Sequence, residues 1–567
     1  MRIRYLICGL LLFTASVAAA QQTFTNITSS AGITGQTGLG HAVAWCDYDG
    51  DTDQDLIFSN QDGTDIWLYR NDGDETFTNV TSAMGLGSQD ASKILWGELT
   101  GDERPDLVLN NGSIMLFRND GETGFTNITG FSGLSGTLKG LLDVDLDGKL
   151  DVLSDLSDQL RWHRNMGLGI FAAPQSVGPA ADTWTTICFD YDLDGDDDIY
   201  VGTYGSSTNK FFRNNGDNSF TDVAADAGVA FNNASHGLTV GDYDNDGWPD
   251  LYIGGYSSLR CRLYRNLGNG TFEDVTTATG TLGHNDTRTC SFVDYDNDGW
   301  LDIFSSHHDF YSYSNTMLHN NGDGTFTETA ATLGLSGEWI GDYFGLGWAD
   351  FNDDGAADLF AAGHIDKYRL FRNDEVPGNG LNVRLLGVSG NQSAVGARVV
   401  LHAGDTQLMR QVINGSGGQD AHSLALHFGL AAATEADSMI IHWPSGVVQK
   451  TGPFNANQTI EVVESGGLSP VPSAAQFITL SSTPNPFNPM TVISCQHAAG
   501  SPPVVVKIFD SRGHLVRSLS PQRVSDDRVQ ANWNGRSDHG LAMPSGTYLA
   551  KVDSGGGKAT LKLMLLE

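Results

Sequence analysis

The chain has 567 residues, of which 40% are hydrophobic, and its 68 acidic and 32 basic residues give a net charge of −36. This length allows two to four domains with buried cores, and the hydrophobic content excludes a disordered chain. The negative charge disfavours nucleic acid and anionic membranes as partners and favours cations. The 69 glycines predict many turns between short strands, so we expect an all-β chain.

The first twenty residues have the pattern of a signal peptide. Arg2 and Arg4 precede the apolar run from Leu6 to Phe13, and Ala18-Ala19-Ala20 offers small residues for cleavage. We therefore predict a signal peptide over residues 1–20 and an exported chain with no transmembrane segment after its removal. Five cysteines remain: Cys46, Cys188, Cys261, Cys290 and Cys495. This odd, sparse set is not a disulfide framework, and both a single pair and free buried thiols stay open.

An acidic loop recurs seven times along the chain. The copies, numbered here as loops 1 to 7, are DYDGDTDQD from Asp47, ELTGDERPD from Glu98, DVDLDGKLD from Asp143, DYDLDGDDD from Asp190, DYDNDGWPD from Asp242, DYDNDGWLD from Asp294 and DFNDDGAAD from Asp350. Each loop continues into a short apolar segment that predicts a strand. A repeat of about 50 residues with several short strands is typical of a β-propeller blade.

Two other motifs keep the same period. One is a strand ending in Arg-Asn or, in a single copy, His-Asn: Arg70-Asn71, Arg118-Asn119, Arg164-Asn165, Arg213-Asn214, Arg265-Asn266, His319-Asn320 and Arg372-Asn373. The other is a Phe-Thr strand such as Phe77–Thr81, of which one copy, Phe24–Thr28, opens the mature chain. If this N-terminal strand completes the last blade, the ring closes and exposed sheet edges disappear. We therefore predict a seven-bladed β-propeller over residues 21–376.

The loops have the ligand pattern of the first part of a calcium-binding loop. Acidic oxygens occupy positions 1, 3, 5 and 9 around a glycine at position 6, and calcium tolerates irregular all-oxygen ligation better than magnesium. The predicted ligands are Asp47, Asp49, Asp51 and Asp55; Asp143, Asp145, Asp147 and Asp151; Asp190, Asp192, Asp194 and Asp198; Asp242, Asp244, Asp246 and Asp250; Asp294, Asp296, Asp298 and Asp302; and Asp350, Asn352, Asp354 and Asp358. Loop 2 has Thr100 and Glu103 at key positions, so we expect it to bind weakly or not at all.

About five to seven Ca²⁺ sites, one per blade, are therefore expected. The alternative is that the loop side chains cap their own turns. The predicted propeller carries 17 basic and 56 acidic residues, and 31 of these acids lie in the loops. Because such clusters repel without bound cations, we expect calcium to stabilise the blades.

Loops of this spacing inside blades of about 50 residues resemble the FG-GAP/VCBS repeats of integrin α-subunit propellers and of many exported bacterial proteins. The resemblance implies an adhesion, recognition or scaffold module, and such modules are not enzymes as a class.

Residues 377–467 alternate as β-strands and contain four phrases that resemble the ASPIC/UnbV module. The phrases are Val395–Val399, Asn414–Gly417, His427–Leu430 and Ile441–Gly446. A propeller followed by this module is the arrangement of the cartilage acidic protein family, and the likeness spans residues 23–464. One departure is Gly418-Gln419-Asp420, which stands where that family has an aromatic residue and a Ser-Gln pair. We expect His427 and Trp443 to be buried in a β-sandwich.

Residues 468–567 resemble an FlgD-like immunoglobulin-fold domain. The phrases that carry this likeness are Pro484–Pro489, Asp510–Gly513, Trp533–Arg536 and Ser545–Tyr548. The resemblance implies type IX-like secretion from a bacterium and a secreted or cell-surface location. The predicted fold is thus a seven-bladed β-propeller followed by two small β-sandwich (Ig-like) domains, over residues 377–467 and 468–567.

The leading hypothesis is a secreted calcium-binding recognition or adhesion protein, not an enzyme. Its propeller face would bind an extracellular protein or polysaccharide. One alternative is a calcium-dependent enzyme acting on an extracellular polymer at that face, with His307, His308 and Asp309 as candidates. We favour a polar surface loop for these three residues. A purely structural surface-layer component is the third hypothesis.

Overall fold

The computed structural model describes residues 23–60, 65–87, 89–205, 207–232, 234–256, 260–283, 286–307, 315–336, 345–363, 368–374, 376–388, 391–415, 418–465, 479–484, 487–488, 490–496, 505–510, 515–525, 528–537, 540–553 and 558–566. These residues are almost entirely β-structure, which confirms the all-β prediction. The chain divides into two compact units, residues 1–466 and 467–567. The predicted signal peptide lies outside the described residues.

The first unit begins with strand β1 (Thr23–Asn26), and its repeat region contributes four antiparallel strands to each of seven sheets within the described residues. Sheets 1 to 3 contain β2 (Gly40–Cys46), β3 (Asp55–Asn60), β4 (Ile66–Asn71) and β5 (Phe77–Asn79); β6 (Lys93–Gly97), β7 (Asp106–Asn110), β8 (Ile114–Asn119) and β9 (Phe125–Asn127); and β10 (Thr137–Leu142), β11 (Asp151–Asp155), β12 (Gln159–His163) and β13 (Gln175–Pro179). Sheets 4 and 5 contain β14 (Thr183–Phe189), β15 (Asp198–Thr203), β16 (Lys210–Asn214) and β17 (Phe220–Asp222); and β18 (Ser235–Gly241), β19 (Asp250–Gly255), β20 (Arg262–Asn266) and β21 (Phe272–Asp274). Sheets 6 and 7 contain β22 (Thr287–Val293), β23 (Asp302–His307), β24 (Thr316–Asn320) and β25 (Phe326–Glu328); and β26 (Gly345–Ala349), β27 (Asp358–Ala362), β28 (Tyr368–Asp374) and β1.

The sheets form a closed ring. The first strand of each sheet contacts the first strand of the next, and β26 of sheet 7 contacts β2 of sheet 1. Strand β1 pairs with β28, with Phe24 opposite Asn373, so the N-terminal strand completes the last sheet. This pairing joins the two ends of the repeat region and covers the edge of β28.

The inner strands are buried because each sheet packs between two neighbours. Strands β3, β15 and β19 are buried along their whole length, and their sequences are accordingly apolar runs with little alternation. The outer strands are short, and only Phe77 of β5 is buried in that strand. Three one-turn helices, α1 (Thr129–Ser132), α2 (Thr276–Thr279) and α3 (Ala330–Leu333), and a 3-10 turn (Gly121–Thr123) complete the outer connections.

The residues of the predicted middle module belong to the first unit. They form β29 (Asn379–Leu386), β30 (Arg398–Ala403), β31 (Thr406–Gln411), β32 (Asp420–Ala421), β33 (Leu426–Ala431), β34 (Glu435–Ala436), β35 (Ser438–His442), β36 (Val448–Thr451), β37 (Phe454–Asn455) and β38 (Gln458–Val463). The sheet orders are β33-β29-β38, β31-β30-β35-β36 and β34-β37, while β32 pairs in parallel with β2 of the ring. Trp443 is 3% exposed, as expected for a core residue, whereas His427 is half-buried.

The second unit contains two four-stranded sheets in its described part. Its strands are β39 (Thr479–Thr483), β40 (Thr491–Gln496), β41 (Val505–Asp510), β42 (Leu515–Leu519), β43 (Gln522–Ser525), β44 (Arg528–Trp533), β45 (Gly546–Asp553) and β46 (Lys558–Leu565). The sheet orders are β39-β40-β44-β43 and β42-β41-β45-β46, and Trp533 is fully buried in a shared core. In neither unit does a described helix have the length and apolar character needed to cross a membrane.

Candidate metal centres

Each acidic loop connects the first and second strands of its sheet, and its ninth residue begins the second strand. These seven aspartates are at most 1% exposed: Asp55, Asp106, Asp151, Asp198, Asp250, Asp302 and Asp358. In loop 5, Asp250 accepts the backbone N–H of Tyr243 at 3.1 Å and that of Asn266 at 2.8 Å. Position 9 therefore joins the loop to the strand that ends in the Arg-Asn motif, in addition to any role as a ligand.

The carboxylate at position 1 organises the turn. In loop 5, Asp242 accepts the N–H groups of Asp246 and Gly247, both at 3.0 Å. The residue at position 6 has a positive φ in every loop, which glycine adopts without strain. Loops 3 to 7 have glycine there, but loops 1 and 2 have Thr52 (φ 87°) and Glu103 (φ 72°).

The side chains at position 3 carry oxygen atoms that the turn does not use. The Oδ1 atoms of Asp145, Asp192, Asp244 and Asp296 are buried and have no hydrogen-bond partner among the described residues. Buried polar atoms are normally satisfied, so this recurring exception indicates a missing partner. Only a cation or a donor molecule can supply that partner, because a carboxylate oxygen is an acceptor.

The structure brings most of the predicted ligands together. Ligand atoms lie within 4.8 Å of one another in the groups Asp47–Asp49–Asp55, Asp143–Asp145–Asp151, Asp190–Asp192–Asp194, Asp242–Asp244–Asp246 and Asp296–Asp302–His319. His319 was not predicted as a ligand, although its place in the Arg-Asn motif was the signal that could have identified it. In loop 7, the amide of Asn352 donates a hydrogen bond of 2.9 Å to Asp354. These oxygen-rich groups fit a hard divalent cation.

Burial raises the pKa of several loop carboxylates. It raises the pKa of Asp55 to about 9 and that of Asp151 to about 8. Burial and then the neighbouring Asp194 raise the pKa of Asp196 to about 7. The folded chain therefore disfavours the full set of loop charges when no cation balances them.

Basic side chains form ion pairs with four of the loops predicted to bind calcium, and with loop 2. The pairs are Arg384 with Asp47 at 2.9 Å, Arg164 with Asp145 at 2.5 Å, Arg265 with Asp244 at 2.6 Å and His319 with Asp296 at 3.3 Å. Loop 4 contains six aspartates, and no described lysine, arginine or histidine lies within ion-pair distance of them. In loop 2, Arg104 pairs with Asp102 at 2.9 Å, which supports the expectation of weak binding there. Loop 4 thus combines the largest number of loop carboxylates with no ion pair to a described basic side chain.

The asparagine of the Arg-Asn motif links neighbouring sheets, a role that the sequence motif did not reveal. Asn266 Nδ2 donates to the Tyr191 carbonyl in loop 4 of the preceding sheet at 2.8 Å. The other donor–acceptor pairs are Asn71 to Phe351, Asn119 to Tyr48, Asn165 to Leu99, Asn214 to Val144, Asn320 to Tyr243 and Asn373 to Tyr295. These seven side chains, called the bridging asparagines below, therefore connect every sheet to the sheet before it.

A segment of the middle module enters the centre of the ring. Asp420 accepts the N–H of Leu346 in β26, and the carbonyl of Gly418 accepts Lys93 Nζ in β6 at 3.1 Å. Asp420 also accepts the hydroxyl of Thr289 in β22. The Gly418-Gln419-Asp420 turn, which departs from the family pattern, therefore contacts the innermost strands of the propeller.

Other module residues contact the acidic loops. Gly429 N–H donates to Asp294 at 3.0 Å, Asn382 donates to Asp350 at 2.6 Å, and Arg384 pairs with Asp47. The module is therefore seated on the face of the ring that carries the acidic loops. A cavity of about 180 Å³ remains between them, lined in part by Arg410, His422 and His427.

The prediction of a polar surface loop at the His-His-Asp cluster is wrong for its first residue. His307 is fully buried at the end of β23, where its ring contacts the hydroxyls of Thr287 and Thr316 at 3.2 Å. The repeat places it in an inner strand, so burial between sheets overrides its polarity. His308 and Asp309 lie outside the described residues.

Family models match three parts of the chain. An FG-GAP-like repeat matches residues 47–109, 143–201, 190–253, 252–305 and 294–361. The ASPIC and UnbV model matches residues 387–469, and the FlgD Ig-like domain matches residues 488–558. All three matches agree with the resemblances found in the sequence.

Curated relatives and solved structures add partial matches. Cartilage acidic protein 1 of Homo sapiens is 28% identical over 275 residues, covering 45% of this chain and 40% of that protein, and the Mus musculus protein is 27% identical over 271 residues, covering 45% and 41%. The match thus spans less than half the length of these relatives. An Agrocybe aegerita lectin structure, described for recognition of non-reducing terminal N-acetylglucosamine, is 19% identical and covers 59% of this chain and 94% of that chain, with a TM-score of 0.39. PorZ, a surface component of the type-IX secretion system of Porphyromonas gingivalis, is 12% identical and covers 93% and 81%, with a TM-score of 0.22.

The two structural scores are too low to carry an argument. The repeat and module matches, together with the cartilage acidic protein relatives, suggest an extracellular propeller-type protein. The chain is composed of FG-GAP-like repeats, an ASPIC and UnbV segment and an FlgD Ig-like domain.

Proposed function

We propose that this chain is a secreted, calcium-binding recognition or adhesion protein whose propeller is stabilised by calcium in the acidic loops. The observation that carries the proposal is the buried, unpartnered Oδ1 atom at position 3 of loops 3, 4, 5 and 6. Calcium bound there would be held by the side chains at positions 1, 3 and 5 of each loop, and it would supply positive charge to carboxylates that otherwise repel.

Several features support calcium over the alternative of self-capping turns. Capping does occur at positions 1 and 9, where backbone N–H groups donate hydrogen bonds to the carboxylate oxygens. Capping does not account for position 3, whose free oxygens recur at the same place in four loops. Among the described residues, no lysine, arginine or histidine forms an ion pair with the six aspartates of loop 4, which points in the same direction.

A binding role is favoured over catalysis. The candidate acid–base residue His307 is enclosed between threonine hydroxyls, so substrate has no access to it. The middle module also contacts one face of the ring and extends into its centre, so we place the ligand on the opposite face. We also propose a bacterial source and link export of the chain to the FlgD-like domain.

The test is thermal melting of the purified chain with excess calcium and with chelator, combined with a count of bound metal. Each site that binds only the folded state adds about 2.7 kcal/mol when free calcium exceeds the Kd about 100-fold. We expect five to seven bound ions and a large fall in Tm on chelation, reversed by added calcium. Zero bound calcium and an unchanged Tm would refute the proposal and leave the loops as acidic turns.

A further inference from the structure

The inner strands carry repeated β-bulges at the end that lies away from the acidic loops. In β14, β18 and β22 the pairing register shifts by one residue, and the residues left out are Trp184, His236 and Arg288. A bulge redirects the side chain of its extra residue and is often found next to functional sites. The bulges of three successive sheets therefore aim large side chains at one place.

These side chains form a stacked column with one tyrosine. The rings of Trp184 and His236 are nearly parallel, with centroids 4.6 Å apart, and His236 lies on Tyr256 at 4.0 Å. The Arg288 guanidinium lies 4.7 Å from the Tyr256 centroid, and its Nη1 donates to His236 Nδ1 at 3.1 Å. Because arginine only donates, this contact fixes Nδ1 of His236 as the acceptor.

The column supports two exposed aromatic side chains. Tyr204 lies 5.2 Å from Trp184 and 5.5 Å from His236, measured between ring centroids. Trp184 and Tyr204 are 38% and 49% exposed, whereas the supporting His236 is 1% exposed. We call the exposed rings of Trp184 and Tyr204, together with the supporting His236, Tyr256 and Arg288, the aromatic platform. Its rings are held in place before any ligand arrives, which lowers the entropy cost of binding.

We propose that the aromatic platform binds a neutral sugar unit of an extracellular polysaccharide. A pyranose ring has an apolar C–H face that can stack on an exposed indole or phenol ring. The hydroxyl groups on its rim can form hydrogen bonds with the Tyr204 hydroxyl. This inference rests on the proposed recognition function and names the ligand class.

Charge selects a neutral sugar over the other ligands that stack on aromatic rings. A chain with a net charge of −36 repels nucleic acid and acidic polysaccharides. A cationic ligand would meet Arg288, which already occupies the face of Tyr256. The platform is therefore suited to an uncharged ring.

The experiment measures binding of the full chain, in excess calcium, to gluco-, manno- and N-acetylglucosamine oligosaccharides by calorimetry. Oligogalacturonate serves as the acidic probe. Trp184→Ala and Tyr204→Ala should each weaken binding of the neutral probe by about tenfold or more, as expected for loss of a central aromatic contact. Phe131→Ala is the matched control, because Phe131 is an 85% exposed aromatic residue in α1, outside the platform. Trp184→Phe keeps a ring for stacking and should retain more affinity than Trp184→Ala.

Metal count and Tm of each variant are measured in parallel, so that failure of the platform and failure of the calcium proposal are distinguished. Neutral-sugar binding that is lost in both alanine variants at unchanged Tm and calcium content supports the platform. Three results overturn it while leaving calcium binding intact: no binding of any neutral oligosaccharide, binding of oligogalacturonate alone, or neutral binding that neither alanine variant weakens. Should Trp184→Ala fail to fold, Tyr204→Ala and Trp184→Phe decide the outcome.

Discussion

Replacing Asn266 by alanine tests the bridging asparagines, which join the sheets of the ring. The Asn266 side chain is 1% exposed and makes three hydrogen bonds. It donates to the Tyr191 carbonyl at 2.8 Å and to the Pro249 carbonyl at 3.1 Å, and it accepts the Gly268 N–H at 3.0 Å. The first of these contacts crosses to the preceding sheet, so its loss weakens the junction between sheets 4 and 5.

The expected magnitude follows from these contacts. A typical intramolecular hydrogen bond contributes about 1 kcal/mol net, so three of them give about 3 kcal/mol. Alanine also leaves buried carbonyls without a donor, which adds to the loss unless water enters. Asn266→Asp should cost at least as much, because it keeps the acceptor for Gly268 but replaces both donors with a buried carboxylate oxygen that faces two carbonyls.

The assay is urea unfolding of the full chain in excess calcium, followed by tryptophan fluorescence. Asn269→Ala is the control, since Asn269 lies in the same turn but is exposed, and its side-chain hydrogen bonds to described residues come from Thr271. We expect the control to change the free energy of unfolding by at most about 0.5 kcal/mol. If Asn266→Ala were no more destabilising than Asn269→Ala, the role assigned to the bridging asparagines would be wrong.

Three further predictions concern the loops and the module. Asp192→Ala should remove one bound calcium ion from loop 4, counted by atomic emission, whereas Asp226→Ala, at an exposed position outside the loops, should remove none. An unchanged calcium count in Asp192→Ala would contradict the assignment of loop 4 as a calcium site. Thr52→Gly should raise the free energy of unfolding in urea by about 1 kcal/mol, because it relieves a β-branched residue at a φ of 87°; a lower stability would show that Thr52 is not strained. Burial lowers the pKa of His422 to about 4, below its ordinary value of about 6.5, so the unfolded chain binds the proton first and stability falls as pH drops through this window. Between pH 4 and 6.5, the free energy of unfolding of the native chain should therefore depend on pH more steeply than that of His422→Asn, by about 1.4 kcal/mol per pH unit. Parallel pH profiles of the unfolding free energy in the two proteins would refute this.

The repeat could be recognised in the sequence because every sheet uses the same kind of turn between its first two strands. Each sheet needs a turn between its first two strands, and the acidic loops of the DxDxDG type supply that turn at a regular period. The Phe-Thr motif at Phe24–Thr28, which lies before the first acidic loop, likewise predicted the closing strand that pairs with β28. Glycine at position 6 was expected for a sharp turn, and the positive φ at that position bears out the reason.

Contacts between segments that are distant in the chain could not be predicted from local sequence patterns. Nothing in the Arg-Asn motif says that its asparagine donates to the loop of the preceding sheet, because the acceptor lies about 75 residues away and is a backbone carbonyl. The burial of His307 has the same origin, since a polar residue at a strand end is exposed or buried according to what the next sheet covers. The Gly418-Gln419-Asp420 turn showed no sign in sequence of its position inside the ring.

The sequence by itself determined the all-β class, the repeat, its closing strand and the residue types that make the loops candidate cation sites. These follow from period, turn chemistry and charge, which act over a few neighbouring residues. Only the tertiary structure decided which carboxylate oxygens lack a partner, which loops are balanced by basic side chains, and which bulged residues meet as the aromatic platform. Trp184 and Tyr204 meet through the pairing of β14 with β15, and His236 joins them from β18 of the next sheet, so no local pattern in the chain records their meeting.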